Sequence, residues 1–204
     1  MTRFYSDDYV ERIPIKDNNE PLVDLEKYVK RLIIRKKSVI NKKIKKILVR
    51  KTIAKMLKDA EKFLPKGYNF IIYDGYREEK IQKTYFTNHF KKLRQQHPNW
   101  PEKRLRKIAS NYVADPKRVC PHLTGGAIDI TIGKRNRIAT GGFNLYKEKN
   151  ISEKFMKNRQ FLAKIMKNVG FANYAPEWWH WSYGDRHWAA VKKKKFALYK
   201  EIRK

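Results

Sequence analysis

A single carboxylate stands inside an otherwise uncharged segment, AIDITI at residues 127–132. In a β-strand, successive side chains alternate between the two faces, so Ile128, Ile130 and Ile132 share one face and Asp129 lies on the other. An ionised carboxylate in a mostly buried strand is costly unless it is compensated, or else it becomes protonated. Asp129 therefore needs water, a basic side chain or a metal ion beside it.

Three short segments contain the residues that could perform chemistry. They are HLTGGAID (His122 to Asp129), EWWH (Glu177 to His180) and DGYR (Asp74 to Arg77). Two histidines and one carboxylate form the three-ligand set of a catalytic zinc site and leave the fourth position for water. Zinc lowers the pKa of such a water to about 7, and Glu177 could then act as the general base. A metal would also compensate Asp129.

Spacing alone leaves other interpretations open, because neither of the two histidine-containing segments, HLTGGAID and EWWH, has the helical H-E-x-x-H pattern. His180 could be a histidine packed among the neighbouring tryptophans. Asp129 could cap a strand end or pair with a lysine, and Glu177 could be a surface acid. The DGYR segment could be an ordinary turn with a surface ion pair.

The remaining histidines and the one cysteine are secondary candidates. If residues 120–122 are extended, Cys120 shares a face with His122, and its thiolate could approach the same metal. Nothing in the placement of Asp129 requires a cysteine ligand, so we favour the set without it. We interpret His89, His97 and His187 as surface or structural residues.

Length and composition indicate one globular domain. The chain has 204 residues, of which 41% are hydrophobic and 13% aromatic. A single cysteine excludes an internal disulfide. The N-terminal segment contains acids and no apolar core typical of a secretory signal, and no window approaches 18 apolar residues. We therefore expect no membrane span and a cytoplasmic location, or a periplasmic one if the sequence has been trimmed.

The formal net charge is +29, and residues 27–58 contain 14 Lys or Arg and no acid. One interpretation is an anionic partner such as nucleic acid, acidic lipid or a wall polymer. The other is a lysine-rich composition in which the lysines occupy solvated faces. The second is favoured because the lysines are spread along the whole chain and accompany an excess of isoleucine, which nucleic-acid binding does not require.

Hydrophobic periodicity predicts helices at 49–64, 78–96, 102–113 and 152–169 and a last basic helix. Ser152 is the expected N-cap of the helix at 152–169, and Gly170 its C′ residue. Residues 1–25 read as irregular or short-strand, and 27–48 as loosely helical. YNFIIYDGY (68–76) is predicted to be a strand that enters a turn at Asp74 and Gly75, and further strands are predicted at 127–132 and at EWWHWSY (177–183). This mixture predicts an α+β fold with a central, mostly antiparallel sheet flanked by helices.

The segments PHLTGGAIDITI, YDGYR and NYAPEWWHWSYGDRHWA resemble the zinc-dependent D-alanyl-D-alanine dipeptidases, which include the vancomycin-resistance dipeptidases. The lead-in IPIKDNNEPLVDL and the segment HPNWPEKRLRKIASNYVADP are also similar to this family. The resemblance spans residues 13–190 and is poorest across the lysine-rich 27–48. It implies one zinc peptidase domain over 1–204, with one zinc ion per chain.

The resemblance also assigns roles. It implies that His122, Asp129 and His180 are zinc ligands and that Glu177 is the general base. Arg77 would polarise the scissile carbonyl and stabilise the oxyanion, and Asp74 would position Arg77.

Three departures from the family concern the substrate. Cys120 replaces a serine that helps to hold the substrate. Asn144 replaces the aspartate that receives the ammonium group, and Glu78 follows Arg77 where proline is common. They leave the metal set whole and put substrate affinity and preference in question.

The resemblance therefore implies hydrolysis of D-Ala-D-Ala, a small dipeptide, in cell-wall precursor metabolism. A D,D- or L,D-carboxypeptidase acting on longer wall peptides would use the same site. A protein of another class, a basic binder of nucleic acid or an anionic surface with a relic site, is disfavoured because the metal and base residues are all present. The sequence does not predict the oligomeric state.

Overall fold

The computed structural model describes residues 5–35, 46–135, 137–142 and 151–203. The helices within these ranges are α1 (Asp7–Glu11), α2 (Lys51–Glu61), α3 (Glu79–Gln96), α4 (Glu102–Ser110), α5 (Glu153–Asn168) and α6 (Arg186–Val191). The strands are β1 (Leu22–Asp24), β2 (Leu32–Ile34), β3 (Leu48–Arg50), β4 (Tyr68–Asp74), β5 (Ala127–Lys134), β6 (Arg137–Ile138), β7 (Ala172–Asn173) and β8 (His180–Ser182). Short 3₁₀ turns occur at Leu25–Lys27 and Pro121–Thr124.

The main sheet has the strand order β2-β4-β5-β8-β7, and β6 pairs with the far end of β5. Its pairings are antiparallel except β2 with β4, which is parallel. A separate antiparallel pair joins β1 to β3. The predicted α+β class with a mostly antiparallel sheet is therefore confirmed.

The side chains of strand β5 alternate between the two faces of the sheet, as the sequence pattern predicts. Ile128, Ile130 and Ile132 are fully buried in the main core, together with residues of α2 and α5 such as Leu57 and Leu162. This burial of aliphatic surface is the main stabilising contribution to the sheet. The opposite face of β5 is thereby left for Asp129.

Strands β4 and β8 flank β5 at the position of Asp129. Asp74 at the end of β4 is its partner on one side, and His180 at the start of β8 is its partner on the other. Three chemically active side chains are thus set side by side by strand register alone, because paired residues on neighbouring strands lie about 5 Å apart.

Most of the predicted helices are confirmed, with small differences at their ends. Helix α5 begins after Ser152, whose hydroxyl accepts a hydrogen bond from the Phe155 N–H, and Gly170 follows it with φ +104°. In α2, Lys51, Lys55 and Lys58 are exposed while Ile53 and Leu57 are buried. That arrangement agrees with the interpretation of these lysines as a solvated face.

The loosely helical prediction for 27–48 is wrong where the structure describes that segment. Leu32–Ile34 form β2, which pairs with Phe70–Ile72 of β4, and Leu48 begins β3. Neighbouring strands therefore satisfy the backbone groups of these residues, and a helix is not needed. Residues 36–45 lie outside the described ranges.

Both ends of the chain also differ from prediction. Residues 7–11 form helix α1, which was not expected. The last helix, α6, ends at Val191, before the lysines 192–195, so the predicted basic helix is wrong. The segment after it bonds instead to the lead-in, with the Ala197 N–H donating to Pro14 O at 2.9 Å and the Lys16 N–H to Ala197 O at 2.8 Å.

Within the described ranges, every helix is too short or too polar to cross a bilayer.

Candidate metal centre and its cavity

His122, Asp129 and His180 form a compact buried cluster. Asp129 Oδ1 lies 3.1 Å from His180 Nδ1 and 3.4 Å from His122 Nε2. One donor atom from each residue fits within a 4.8 Å span, and all three side chains are buried. Asp129 and His180 come from paired strands, and His122 from the Pro121–Thr124 turn that leads into β5.

The orientation of the His122 ring is fixed by a hydrogen bond from its Nδ1, the nitrogen that faces away from the cluster. Its Nδ1 lies 2.8 Å from the carbonyl oxygen of Gly75, which can only accept, so Nδ1 carries the proton and Nε2 turns a lone pair toward the cluster. Gly75 is needed for this approach, because a Cβ there would lie 2.6 Å from the carbonyl oxygen of Leu48. A histidine whose second nitrogen donates to a carbonyl is the usual arrangement of a metal ligand.

The electrostatics of the cluster favour a cation. Burial lowers the pKa of His180, but its hydrogen bond to Asp129 and the charges of Asp129 and Glu177 outweigh burial, so the pKa is raised. An excess of negative charge therefore surrounds this ring. Two imidazoles and one carboxylate at this spacing fit Zn²⁺, for which they are preferred donors.

Glu177 lies at the edge of the cluster, with Oε2 4.0 Å from His180 Nδ1 and 21% of its side chain exposed. Its backbone is fixed by the turn before β8. The Glu177 N–H donates to Tyr174 O at 2.9 Å, and the Asn173 side chain donates to Glu177 O at 3.1 Å. The carboxylate is thus held beside the cluster without being part of it.

Arg77 is buried and held by two partners. Its Nε and Nη2 both donate to Asp74 Oδ2, at 3.0 and 2.7 Å, and Nη1 donates to Gln82 Oε1 at 2.6 Å. Burial lowers the pKa of Arg77, but Asp74 and then Asp129 raise it more, so the guanidinium keeps its charge. These bonds use three of its five N–H groups, which leaves donors for a ligand.

Cys120 is buried near the cluster as a neutral thiol. Its Sγ donates to Asp115 O at 3.2 Å, and burial, followed by the charge of Glu201, raises its pKa to about 12. Its sulfur is not among the donor atoms that lie within 4.8 Å of one another in the cluster. The interpretation that Cys120 completes the metal set is therefore not supported by its surroundings. Asn144 lies outside the described residues.

A cavity of about 300 Å³ connects these groups. Its walls include the three cluster residues together with Arg77, Cys120 and Glu177. Asp74 is not in the wall and acts on the cavity through Arg77. Other wall residues were not predicted from the sequence, among them Tyr5, Asp7, Val10, Gln82, Tyr174 and His187.

His187 was predicted to be a surface or structural residue. It is buried, and it also lines the cavity. Its ring meets that of Tyr174 edge to face, with centroids 5.2 Å apart. Neither ring nitrogen has a hydrogen-bond partner among the described residues. Burial, and then the positive charge of His180, lowers the pKa of His187 to about 3.

The lowered pKa of the buried His187 ring predicts that the stability of the protein depends on pH. In the metal-free protein, the unfolded chain binds a proton at His187 near the ordinary pKa of 6.5, whereas the folded protein binds it only near 3. The folded protein therefore has its full stability with respect to His187 above pH 6.5. As the pH falls from 6.5 toward 3, protonation of His187 in the unfolded chain lowers the free energy of unfolding. His187→Phe should remove that loss, so the variant should gain about 2 to 3 kcal/mol relative to wild type between about pH 7.5 and about pH 4.5.

Denaturant unfolding of both metal-free proteins at the two pH values measures this gain. The comparison at the higher pH is the internal control, since it reports the substitution without the proton. An equal difference at both pH values would show that the ring is not held neutral.

Comparison with known proteins finds several similar dipeptidases. The chain is 30% identical over 149 residues to a D-alanyl-D-alanine dipeptidase of Enterococcus faecium, a match that covers 64% of this chain and 69% of that protein. It is 26% identical to the corresponding dipeptidase of Enterococcus faecalis over 73% of this chain and 79% of that protein. A match to the D-alanyl-D-alanine dipeptidase of Synechocystis is 29% identical and spans 34% of this chain and only 36% of that relative.

Two solved structures share the fold. The vancomycin-resistance D,D-pentapeptidase VanY, in complex with Zn(II), aligns with a TM-score of 0.53 and 16% identity over 91% of each chain. VanYB in complex with D-alanine-D-alanine aligns with the same TM-score and identity, over 88% of this chain and 85% of that one.

Residues 22–200 match peptidase family M15, described as D-ala-D-ala dipeptidase. The match covers most of the chain and includes the segments PHLTGGAIDITI, YDGYR and NYAPEWWHWSYGDRHWA, so the resemblance is confirmed. The chain belongs to the D-alanyl-D-alanine dipeptidase family of metallopeptidases.

Proposed function

We propose that this protein is a zinc-dependent dipeptidase that hydrolyses D-Ala-D-Ala to two D-alanines, as a single domain over 1–204 with one zinc ion per chain. The observation that carries the proposal is the buried His122, Asp129 and His180 cluster, which shares one cavity with Glu177 and Arg77. We keep the expected cytoplasmic location as part of the proposal.

In this proposal, His122, Asp129 and His180 hold the zinc ion. When bound, zinc acts as a Lewis acid and lowers the pKa of a water to about 7. The protein supplies the geometry, since Gly75 O fixes the tautomer of His122 and strand pairing fixes Asp129 against His180.

Glu177 moves the proton. Its carboxylate borders the cavity beside His180, where it can accept a proton from the attacking water and return it to the leaving amine. Its partial exposure and its lack of a role in the cluster leave it available for this exchange.

Arg77 stabilises the oxyanion that forms as water adds to the peptide carbonyl. A guanidinium is a fixed cation with donors arranged in one plane, and in a buried site its attraction for developing charge is strong. Asp74 and Gln82 hold it in place, so little reorganisation is needed as the charge forms.

Cys120 and Asn144 are the proposed substrate contacts that depart from the family. Cys120 lies in the cavity wall, and its thiol is a weaker donor than a serine hydroxyl. Asn144 can accept a hydrogen bond but has no charge for an ammonium group. Both changes bear on which peptide is preferred.

The test is D-alanine release from D-Ala-D-Ala and from N-acetyl-D-Ala-D-Ala, with chelated and zinc-restored protein. We expect zinc-dependent release, with the free dipeptide at least about tenfold faster, since loss of about 1.4 kcal/mol of ion pairing changes a rate tenfold. Faster release from the acetylated peptide would indicate a carboxypeptidase of longer wall peptides. No release from protein with stoichiometric zinc would overturn the dipeptidase proposal. No release and no zinc would favour the basic binding protein.

A further inference from the structure

Helix α1 places a third carboxylate in the cavity wall. Among the described residues, the acids that line the cavity are Asp7, Asp129 and Glu177. Asp129 belongs to the metal cluster and Glu177 lies beside it, whereas Asp7 is the first residue of α1 and has no part in the proposed chemistry. We propose that Asp7 receives the ammonium group of the substrate and thereby selects peptides with a free amino terminus. This inference rests on the proposed function.

Helix α1 is fixed against the cavity by Arg118. The Arg118 Nε and Nη2 donate to Glu11 at 2.8 and 3.0 Å, and Nη2 also binds Asp8. Val10, which is buried, lines the cavity from the same helix. The wall that carries Asp7 is therefore held by a charge cluster and by apolar packing.

The charge of Asp7 is the least compensated of the three acids of α1. Its nearest contact with Arg118 is 3.8 Å, which is beyond hydrogen-bond distance, whereas Asp8 and Glu11 bind Arg118 closely. No described residue donates a hydrogen bond to the Asp7 carboxylate, and about half of its side chain, 47%, remains exposed. Burial raises its pKa above the ordinary value, as expected for a carboxylate that lacks donors. A cation from the substrate would supply that missing partner.

Asp7, Tyr174 and Glu177 line the same cavity. Burial, followed by the charges of Glu177 and then Asp7, raises the pKa of Tyr174 to about 12, so both carboxylates act on this phenol. The cationic group of the cavity, Arg77, is held instead by Asp74 and Gln82. A dipeptide whose peptide bond lies at the metal cluster therefore shares its cavity with a carboxylate that is neither in the cluster nor the proposed base. A free ammonium group requires such an anion, and an N-acetylated amine does not.

The test measures binding to zinc-loaded protein that carries Glu177→Ala, so that no turnover occurs. The ligands are D-Ala-D-Ala and N-acetyl-D-Ala-D-Ala, and calorimetry gives each Kd. Asp7→Asn in this background should raise the Kd of the free dipeptide about tenfold, as for the loss of a partly exposed charge pair, and leave the Kd of the acetylated form unchanged.

Asp8→Asn is the matched control, because Asp8 lies in the same first turn of α1 and loses the same charge outside the cavity wall. Because Asp8 binds Arg118, any effect of this variant acts through the position of α1, so it should leave the ratio of the two Kd values unchanged. An unchanged Kd for the free dipeptide in Asp7→Asn overturns the inference. Equal weakening of both ligands by both variants also overturns it, since that result assigns α1 a structural role only. If the parent protein binds neither ligand, the proposed function has failed and the inference falls with it.

Discussion

Glu177→Gln should lower kcat for D-Ala-D-Ala hydrolysis by about 10³-fold, the usual contribution of general acid–base catalysis. The amide keeps the size of the carboxylate but cannot accept the proton of the attacking water. The backbone bonds that place residue 177, to Tyr174 O and from the Asn173 side chain, do not involve the altered group. The side chain lies outside the three-residue cluster, so zinc stoichiometry should not change.

Steady-state kinetics with zinc content measured on the same samples separates the two effects. Glu153→Gln is a suitable control, because Glu153 is 82% exposed in the first turn of α5 and outside the cavity wall. A Glu177→Gln protein that keeps full zinc and more than a tenth of wild-type kcat would remove Glu177 from the role of base. A variant that loses zinc would show instead that Glu177 supports the metal site.

The elements that the sequence predicted well are those specified by neighbouring residues. Alternation placed the isoleucines of β5 in the core, and Ser152 and Gly170 marked the ends of α5. In each case the determining interactions lie within a few positions along the chain. A strand with one apolar face and a helix with a side-chain cap can be recognised from such a window.

The elements that were missed depend on distant partners. Leu32–Ile34 form a strand because Phe70–Ile72 of β4 offer them hydrogen bonds, and their spacing alone did not separate strand from helix. Helix α1 has five residues, too few to be stable by itself. It is held by Arg118, more than a hundred positions away, which no local pattern reveals.

The same distinction applies to the cavity. The three cluster residues were found because their types and the family motifs indicated metal chemistry. Their meeting in space depends on the register of β5 with β8, which the sequence does not give. Asp7, Tyr174 and His187 were missed because nothing in the sequence indicates that an aspartate, a tyrosine and a histidine so far apart line one cavity. Only the fold shows that helix α1 contributes to the cavity wall.

Asp129→Asn should lower zinc affinity by at least about 10²-fold, since even residues that only support metal ligands contribute up to this amount. Oδ1 of Asp129 faces both histidines, at 3.1 and 3.4 Å, so it is the shared anionic donor of the cluster. An asparagine offers a neutral oxygen in its place. Hydrolysis should follow zinc occupancy, so it should be absent at equimolar zinc and partly restored by excess.

Asp115→Asn is the matched control for Asp129→Asn. Asp115 is also buried and accepts hydrogen bonds from Arg106 Nη1 and the Lys117 N–H, both at 3.0 Å, but it lies outside the cluster. Its loss should lower the free energy of unfolding without altering zinc affinity. Zinc should raise the Tm of wild type and of Asp115→Asn, because a ligand at 100 times its Kd stabilises the folded state by about 2.7 kcal/mol. It should raise the Tm of Asp129→Asn much less. If chelator competition gave the same zinc affinity for Asp129→Asn and wild type, the ion would have to be held elsewhere, and the buried cluster would need another counter-charge for its carboxylate.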